Sequence, residues 1–95
     1  MDTNSNKPMA VNALISAIAG QKVIAGAKQL RKALASGVAA CVFLAEDADP
    51  ALTEPISEAC RHYDVKTVWV RSKTDLGRAC GIDVGAAVAA TVKSL

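Results

Sequence analysis

Residues 40–45, Ala-Cys-Val-Phe-Leu-Ala, form an unbroken apolar run bounded by turn-forming residues. Six residues suit a strand better than a helix. A strand with apolar side chains on both faces has to be covered on both. Ser36-Gly37 lies before the run, and Glu46-Asp47-Ala48-Asp49-Pro50 follows it as a loop. The fold must therefore place helices on each side of a sheet containing 40–45.

The remaining patterns supply those helices. Pro8 opens a helical pattern in which Met9, Val11, Leu14, Ile15 and Ile18 recur at three- and four-residue spacing, and Gly20 ends it. Val23-Ile24-Ala25 is a short strand. Gly26 or Ala27 starts a second helix with Leu30, Ala33 and Leu34 on its inner face. Gly37 is placed for a left-handed cap at its end. A third helix is expected from Thr53 to Tyr63, with Pro55 in its first turn. Val65 to Val70 reads as a strand. Ser72-Lys73-Thr74-Asp75 resembles a capping box opening a short helix that Gly81 closes. Residues 84–92, rich in β-branched side chains, are assigned to a last strand. The order α-β-α-β-α-β-α-β means a three-layer α/β/α sandwich.

A chain of 95 residues makes one domain. Residues 1–7 read as a frayed polar tail without a signal-peptide apolar region, and 8–95 as the domain. With 52% apolar residues but one Trp, one Tyr and one Phe, the core must be aliphatic. No apolar stretch reaches membrane-spanning length. Cys41, Cys60 and Cys80 are an odd number at wide separations, with no C-x-x-C pair. They read as buried, reduced thiols of a cytosolic protein. Gly77, Gly81 and Gly85 recur every four residues. Arg78 and Asp83 within that span exclude a membrane packing motif, so the three are read as turn and cap glycines.

Net charge is only +2, so any contact with a polyanion must be local. Lys22, Lys28, Arg31 and Lys32 form one basic stretch, and Lys66, Arg71, Lys73 and Arg78 another; six of the nine acids lie between them. The densest cluster is Gly26-Ala27-Lys28-Gln29-Leu30-Arg31-Lys32. A helix N-terminus exposes unpaired N–H groups and partial positive charge. Lys28, Arg31 and Lys32 stand on one face at i, i+3 and i+4, where like charges repel, so stability does not explain them. Gln29 can donate to and accept from a base edge. The segment suits a nucleic acid.

Two other constellations compete. Asp47 and Asp49 follow a strand as Mg²⁺-dependent phosphoryl-transfer enzymes place their acids, which gives the alternative of a small phosphotransferase or phosphatase. Pro50 immediately after makes Asp49 a turn or cap residue instead. In Gly81-Ile82-Asp83-Val84-Gly85 the two branched side chains either tuck into the core or form an apolar loop tip for a ligand or protein partner. His62, the one histidine, has no Ser, Cys or acid arranged beside it, and no P-loop or nucleophile elbow occurs.

Three blocks together resemble one family: Gly-Ala-Lys-Gln-Leu-Arg-Lys at 26–32, Val-Phe-Leu-Ala-Glu-Asp-Ala-Asp-Pro at 42–50, and Val-Arg-Ser-Lys-Thr-Asp-Leu-Gly-Arg-Ala-Cys-Gly-Ile-Asp at 70–83. They look like the kink-turn RNA-binding ribosomal proteins of the L7Ae/L30e family, over roughly residues 10–92. The resemblance implies a four-stranded mixed sheet and binding to a kink-turn, a sharply bent RNA helix–bulge–helix with tandem sheared G·A pairs. It implies that Lys28 and Gln29 face the guanines, and that Lys32 and the backbone of Gly26 and Ala27 meet phosphate. Asp49 and Lys73 match positions bordering a pocket for an extruded nucleotide; Ile82 and Val84, flanking Asp83, match the loop covering it. Relatives from archaea and eukaryotes carry Asn and Glu where this chain has Lys28 and Gln29, and Lys-Gln looks like a smaller bacterial branch. The expectation is a cytoplasmic, monomeric, non-enzymatic protein of a structured ribosomal or non-coding RNA. It would need no cofactor, metal or membrane.

Overall fold

The computed structural model describes residues 10–93; the 1–7 tail, Pro8 and Met9 lie outside them. Helices and strands alternate as α1 Val11–Ile18, β1 Lys22–Ala25, α2 Ala27–Ala35, β2 Ala39–Ala45, α3 Pro50–Tyr63, β3 Lys66–Val70, α4 Lys73–Cys80 and β4 Val88–Val92. The strands form one sheet in the order β1-β4-β2-β3. β4 runs antiparallel to β1 and β2, while β2 and β3 are parallel. The sheet is thus mixed, and the architecture is the three-layer α/β/α sandwich.

β2 shows why both faces need cover. Its side chains alternate between layers, as a pleated strand requires. Val42 and Leu44 pack with Leu30 and Leu34 of α2 and Ile56 and Cys60 of α3. Phe43 and Ala45 pack with Leu14 and Ile18 of α1 and Leu76 of α4. Burying a leucine such as Leu30 or Leu34 contributes about 1.5–3 kcal/mol, so this two-sided aliphatic core is the main stabilising term. In α1, Leu14 and Ile18 are buried, whereas Ile15 is 43% exposed and lies off the inner stripe.

Three strand starts shift by one residue from the sequence reading, and two boundaries move further. α3 begins at Pro50 instead of Thr53, because Asp49 caps it and Pro50 supplies a pre-set first residue. Pro55 therefore lies in the second turn, not the first, and its missing N–H leaves the Ala51 carbonyl without an intrahelical donor. β4 begins at Val88, so Val84 and Gly85 belong to a loop.

The glycine assignment also changes. Gly81 does cap α4 at φ 77°. Gly77, however, is a buried residue within α4, and a Cβ there would overlap the Val84 carbonyl oxygen. A Cβ on Gly85 would sit 3.0 Å from the Lys73 Cβ. These two glycines serve a close approach of the 82–85 loop to α4. Backbone hydrogen bonds secure that loop, Ile82 N–H to the Gly77 carbonyl at 3.0 Å and Ala86 N–H to the Lys73 carbonyl at 3.0 Å.

The cysteines are free. Cys60 is buried, while Cys41 and Cys80 are half-buried, so the expectation of three buried thiols holds fully only for Cys60. Burial pushes all three thiols above their ordinary value. Among the described residues, no helix is long and apolar enough to cross a membrane.

Candidate nucleic-acid interface

β1, β2 and β3 point their carboxyl ends the same way, and β4 starts at that end: Ala25 pairs with Ala89, Leu44 with Val88, and Ala45 with Val70. This is the end of an open α/β sheet where ligands are usually met. Gly26 leads out of β1 with φ 112° and ψ 138°, a conformation that disfavours side chains with a Cβ. Its N–H donates to the Val88 carbonyl at 3.3 Å, and its carbonyl accepts the first α2 bond, from Leu30 N–H at 3.0 Å.

No side chain caps the start of α2, and no acid occupies its first turn. The N–H groups of Ala27, Lys28 and Gln29 are therefore left without intrahelical acceptors. Lys28 adds a cation where the helix dipole disfavours one. Lys28, Gln29, Arg31 and Lys32 are all exposed, while Leu30, Ala33 and Leu34 turn inward as expected. α3 and α4 behave differently: Asp49 accepts from Ala51 N–H at 3.0 Å, and Ser72 Oγ from Asp75 N–H at 3.0 Å. α1 also lacks a side-chain cap, yet it carries no charged residue.

A groove of about 330 Å³ opens beside the α2 mouth, between Ala25, Gly26 and Ala27 on one side and Ile82 and Gly85 on the other. Ile82 is 38% exposed and Val84 71%, so the apolar pair forms a loop tip and does not tuck into the core. Asp83, between them, is exposed. A second hollow of about 480 Å³ joins this loop to Thr74 and Arg78 of α4. Lys73 is exposed and packs its Cβ against Gly85.

Three of these lining residues are not among the site residues expected from the sequence. Leu52, 47% exposed on the first turn of α3, lines the groove. It lies before Thr53, where the sequence reading began the helix, so no local signal set it apart. Thr74 and Arg78 join only because Gly77 lets the loop come down on α4. The two basic stretches do not meet as blocks. Lys73 and Arg78 lie by the loop, Lys66 lines a separate hollow with Tyr63 and Asp64, and Arg71 Nε approaches Asp75 Oδ2 at 3.7 Å.

The two loop aspartates have structural employment. Asp47 Oδ1 accepts from Lys73 N–H at 2.8 Å, and Asp49 caps α3. Among the described residues, no group of three or more His, Cys, Asp and Glu is placed to hold a metal ion. His62 is exposed in the last turn of α3, edge-to-face with Tyr63 at 4.9 Å.

The fold and site define a small α/β/α module whose open helix N-terminus and apolar loop tip face one groove. The chain belongs to the ribosomal protein L7Ae/L30e/S12e/Gadd45 family, whose model matches residues 9–94. It is 45% identical over 71 residues to the RNA-binding protein TTE2299 of Caldanaerobacter subterraneus, covering 75% of this chain and 87% of that one. It is 40% identical over 72 residues to the RNA-binding protein YbxF of Geobacillus stearothermophilus, covering 76% and 88%. Among solved structures, a 15.5 kD RNA binding protein of Giardia lamblia superposes with a TM-score of 0.78 at 28% identity, over 99% of this chain and 85% of that one.

Proposed function

We propose that this protein is a non-enzymatic RNA-binding protein that recognises and stabilises a kink-turn. The observation that carries the reading is the shared groove: the uncapped, cationic mouth of α2 and the Ile82–Val84 loop border one opening. Relatives named as RNA-binding proteins support it.

The regular major groove of an RNA duplex is too narrow for side chains, so recognition turns to non-Watson–Crick and unstacked bases. A kink opens that groove. The α2 mouth enters there, with Gln29 offering an amide to the sheared guanines and Lys28 beside it. The Gly26–Ala27 backbone and Lys32 take phosphate, and Arg31 adds to the field. Ile82 and Val84 close on an extruded nucleotide bordered by Asp49 and Lys73, with Asp83 at the turn. All these residues come from one chain, so a monomer suffices. The RNA is ribosomal RNA or another structured non-coding RNA of the cytoplasm.

The stabilising role is tested with a kink-turn RNA carrying donor and acceptor fluorophores on its two stems, held open in Mg²⁺-free buffer. Added protein should bring the stems together and raise energy transfer. Binding without a rise in transfer would contradict stabilisation.

A further inference from the structure

The cationic surface of α2 does not end at its mouth. Gln29, Lys32 and Ser36 lie on one helical side, and between them and the sheet runs a second groove of about 370 Å³. Its apolar floor includes Ile24, Val38 and Val92. Three lysines line it from three elements: Lys22 of β1, Lys32 of α2, and Lys93 just beyond β4. Strand pairing brings the backbones of two of them together, while Lys93, past the end of β4, also borders the neighbouring hollow with Asp64 and Lys66. Lys22 and Ile24 share one face of β1 with Val92, the cross-strand partner of Lys22, and Lys93 follows where β4 has ended. Lys93 N–H donates to the Val38 carbonyl at 2.8 Å, which fixes its backbone at the groove.

Among the described residues no carboxylate lines this groove, and the one ion pair is Arg71–Asp75, elsewhere in the fold. A single lysine on an edge strand is explained as protection against strand addition. That explains Lys22 but not why Lys32 and Lys93 border the same groove, a set of cations that suits an anion. Ala25 at the α2 mouth is three residue steps along β1 from Lys22, a distance of about 10 Å. The groove is thus continuous with the proposed recognition site through Gln29 and Lys32.

We propose that this groove is a second RNA contact. In this extension of the kink-turn reading, Lys22 and Lys93 hold the phosphodiester backbone of one flanking stem, beyond the bases that α2 reads. The contact follows the backbone and carries no base preference.

The test compares the full chain with the Lys22→Gln/Lys93→Gln double variant. Each is titrated against a kink-turn RNA with long stems and against RNAs with either stem shortened, from 50 to 200 mM KCl. Two lost phosphate contacts lower the salt slope by about 1.8. On the long RNA, the wild type should therefore lose about tenfold more affinity over that range than the double variant. Shortening one of the two stems should remove the difference. Lys22→Arg/Lys93→Arg should keep the wild-type slope. Equal slopes for wild type and the Gln variant on the long RNA would overturn the groove, as would an undiminished difference on both shortened RNAs or a lost slope in the Arg variant. Discrimination between kinked RNA and a Watson–Crick control reports separately on the main reading. If it persists with unchanged slopes, the groove alone fails; if the wild type never shows it, the main reading fails too.

Discussion

Asp47 and Lys73 are 26 residues apart, yet the Asp47 carboxylate accepts from the Lys73 backbone N–H at 2.8 Å. The β2–α3 loop thereby supplies a cap for α4, alongside the local one from Ser72. Asp47→Ala should cost about 1 kcal/mol, the usual penalty for losing a helix cap. Asp47→Asn, which keeps an acceptor, should cost less. Urea denaturation measures both. RNA affinity of the Asn variant should scarcely change, whereas a phosphotransferase built on Asp47 would lose turnover.

Gly77 sets two effects against each other. Alanine in a helix interior ordinarily gains about 0.5–1 kcal/mol over glycine. Here its Cβ would run into the Val84 backbone, and such overpacking costs about 1–3 kcal/mol. The clash should win. Gly77→Ala should melt lower than the wild type and bind kinked RNA more weakly, since the Ile82–Val84 loop must move. A raised melting temperature with unaltered binding would contradict this packing.

The sequence made much of this readable. Local chemistry identified the Ser72 cap, the Gly37 and Gly81 termini, the inner face of α2 and the doubly covered strand β2. Each depends on neighbours within a turn or two. The errors arose where a distant segment decides. Gly77 resembles a turn residue until the 82–85 loop is known to lie on it. Leu52 stands just before the expected start of its helix and gains its place only from the groove it lines. The Lys22–Lys32–Lys93 convergence requires β1 beside β4, which no local pattern shows.

Cys60 gives a pH-dependent stability term. It is fully buried, and burial, with a smaller push from Cys41, raises its thiol above the ordinary value of 9.0. The unfolded thiol ionises first as pH rises, so above about pH 9 the unfolded state binds fewer protons and gains stability relative to the native state. The Cys60 contribution is complete below that pH and is lost as pH climbs toward the native value. The stability gap between wild type and Cys60→Ala should therefore narrow from pH 8 to pH 10.5 in urea titrations. A constant gap would contradict a buried thiol.

Lys28 and Gln29 should separate into attraction and discrimination. Lys28→Ala should weaken binding to all RNAs and reduce the salt slope by about one. Gln29→Ala should leave the slope alone and narrow the preference for sheared G·A pairs, within the 1–3 kcal/mol typical of a good base-edge contact. Binding isotherms at several salt concentrations distinguish the two.

The most direct test is a paired titration of the wild-type chain at moderate salt. One labelled RNA carries the kink-turn with its tandem sheared G·A pairs; the other is identical except that those pairs are Watson–Crick. The proposed recognition at the α2 mouth predicts clearly tighter binding to the first. Equal dissociation constants for the two would contradict it.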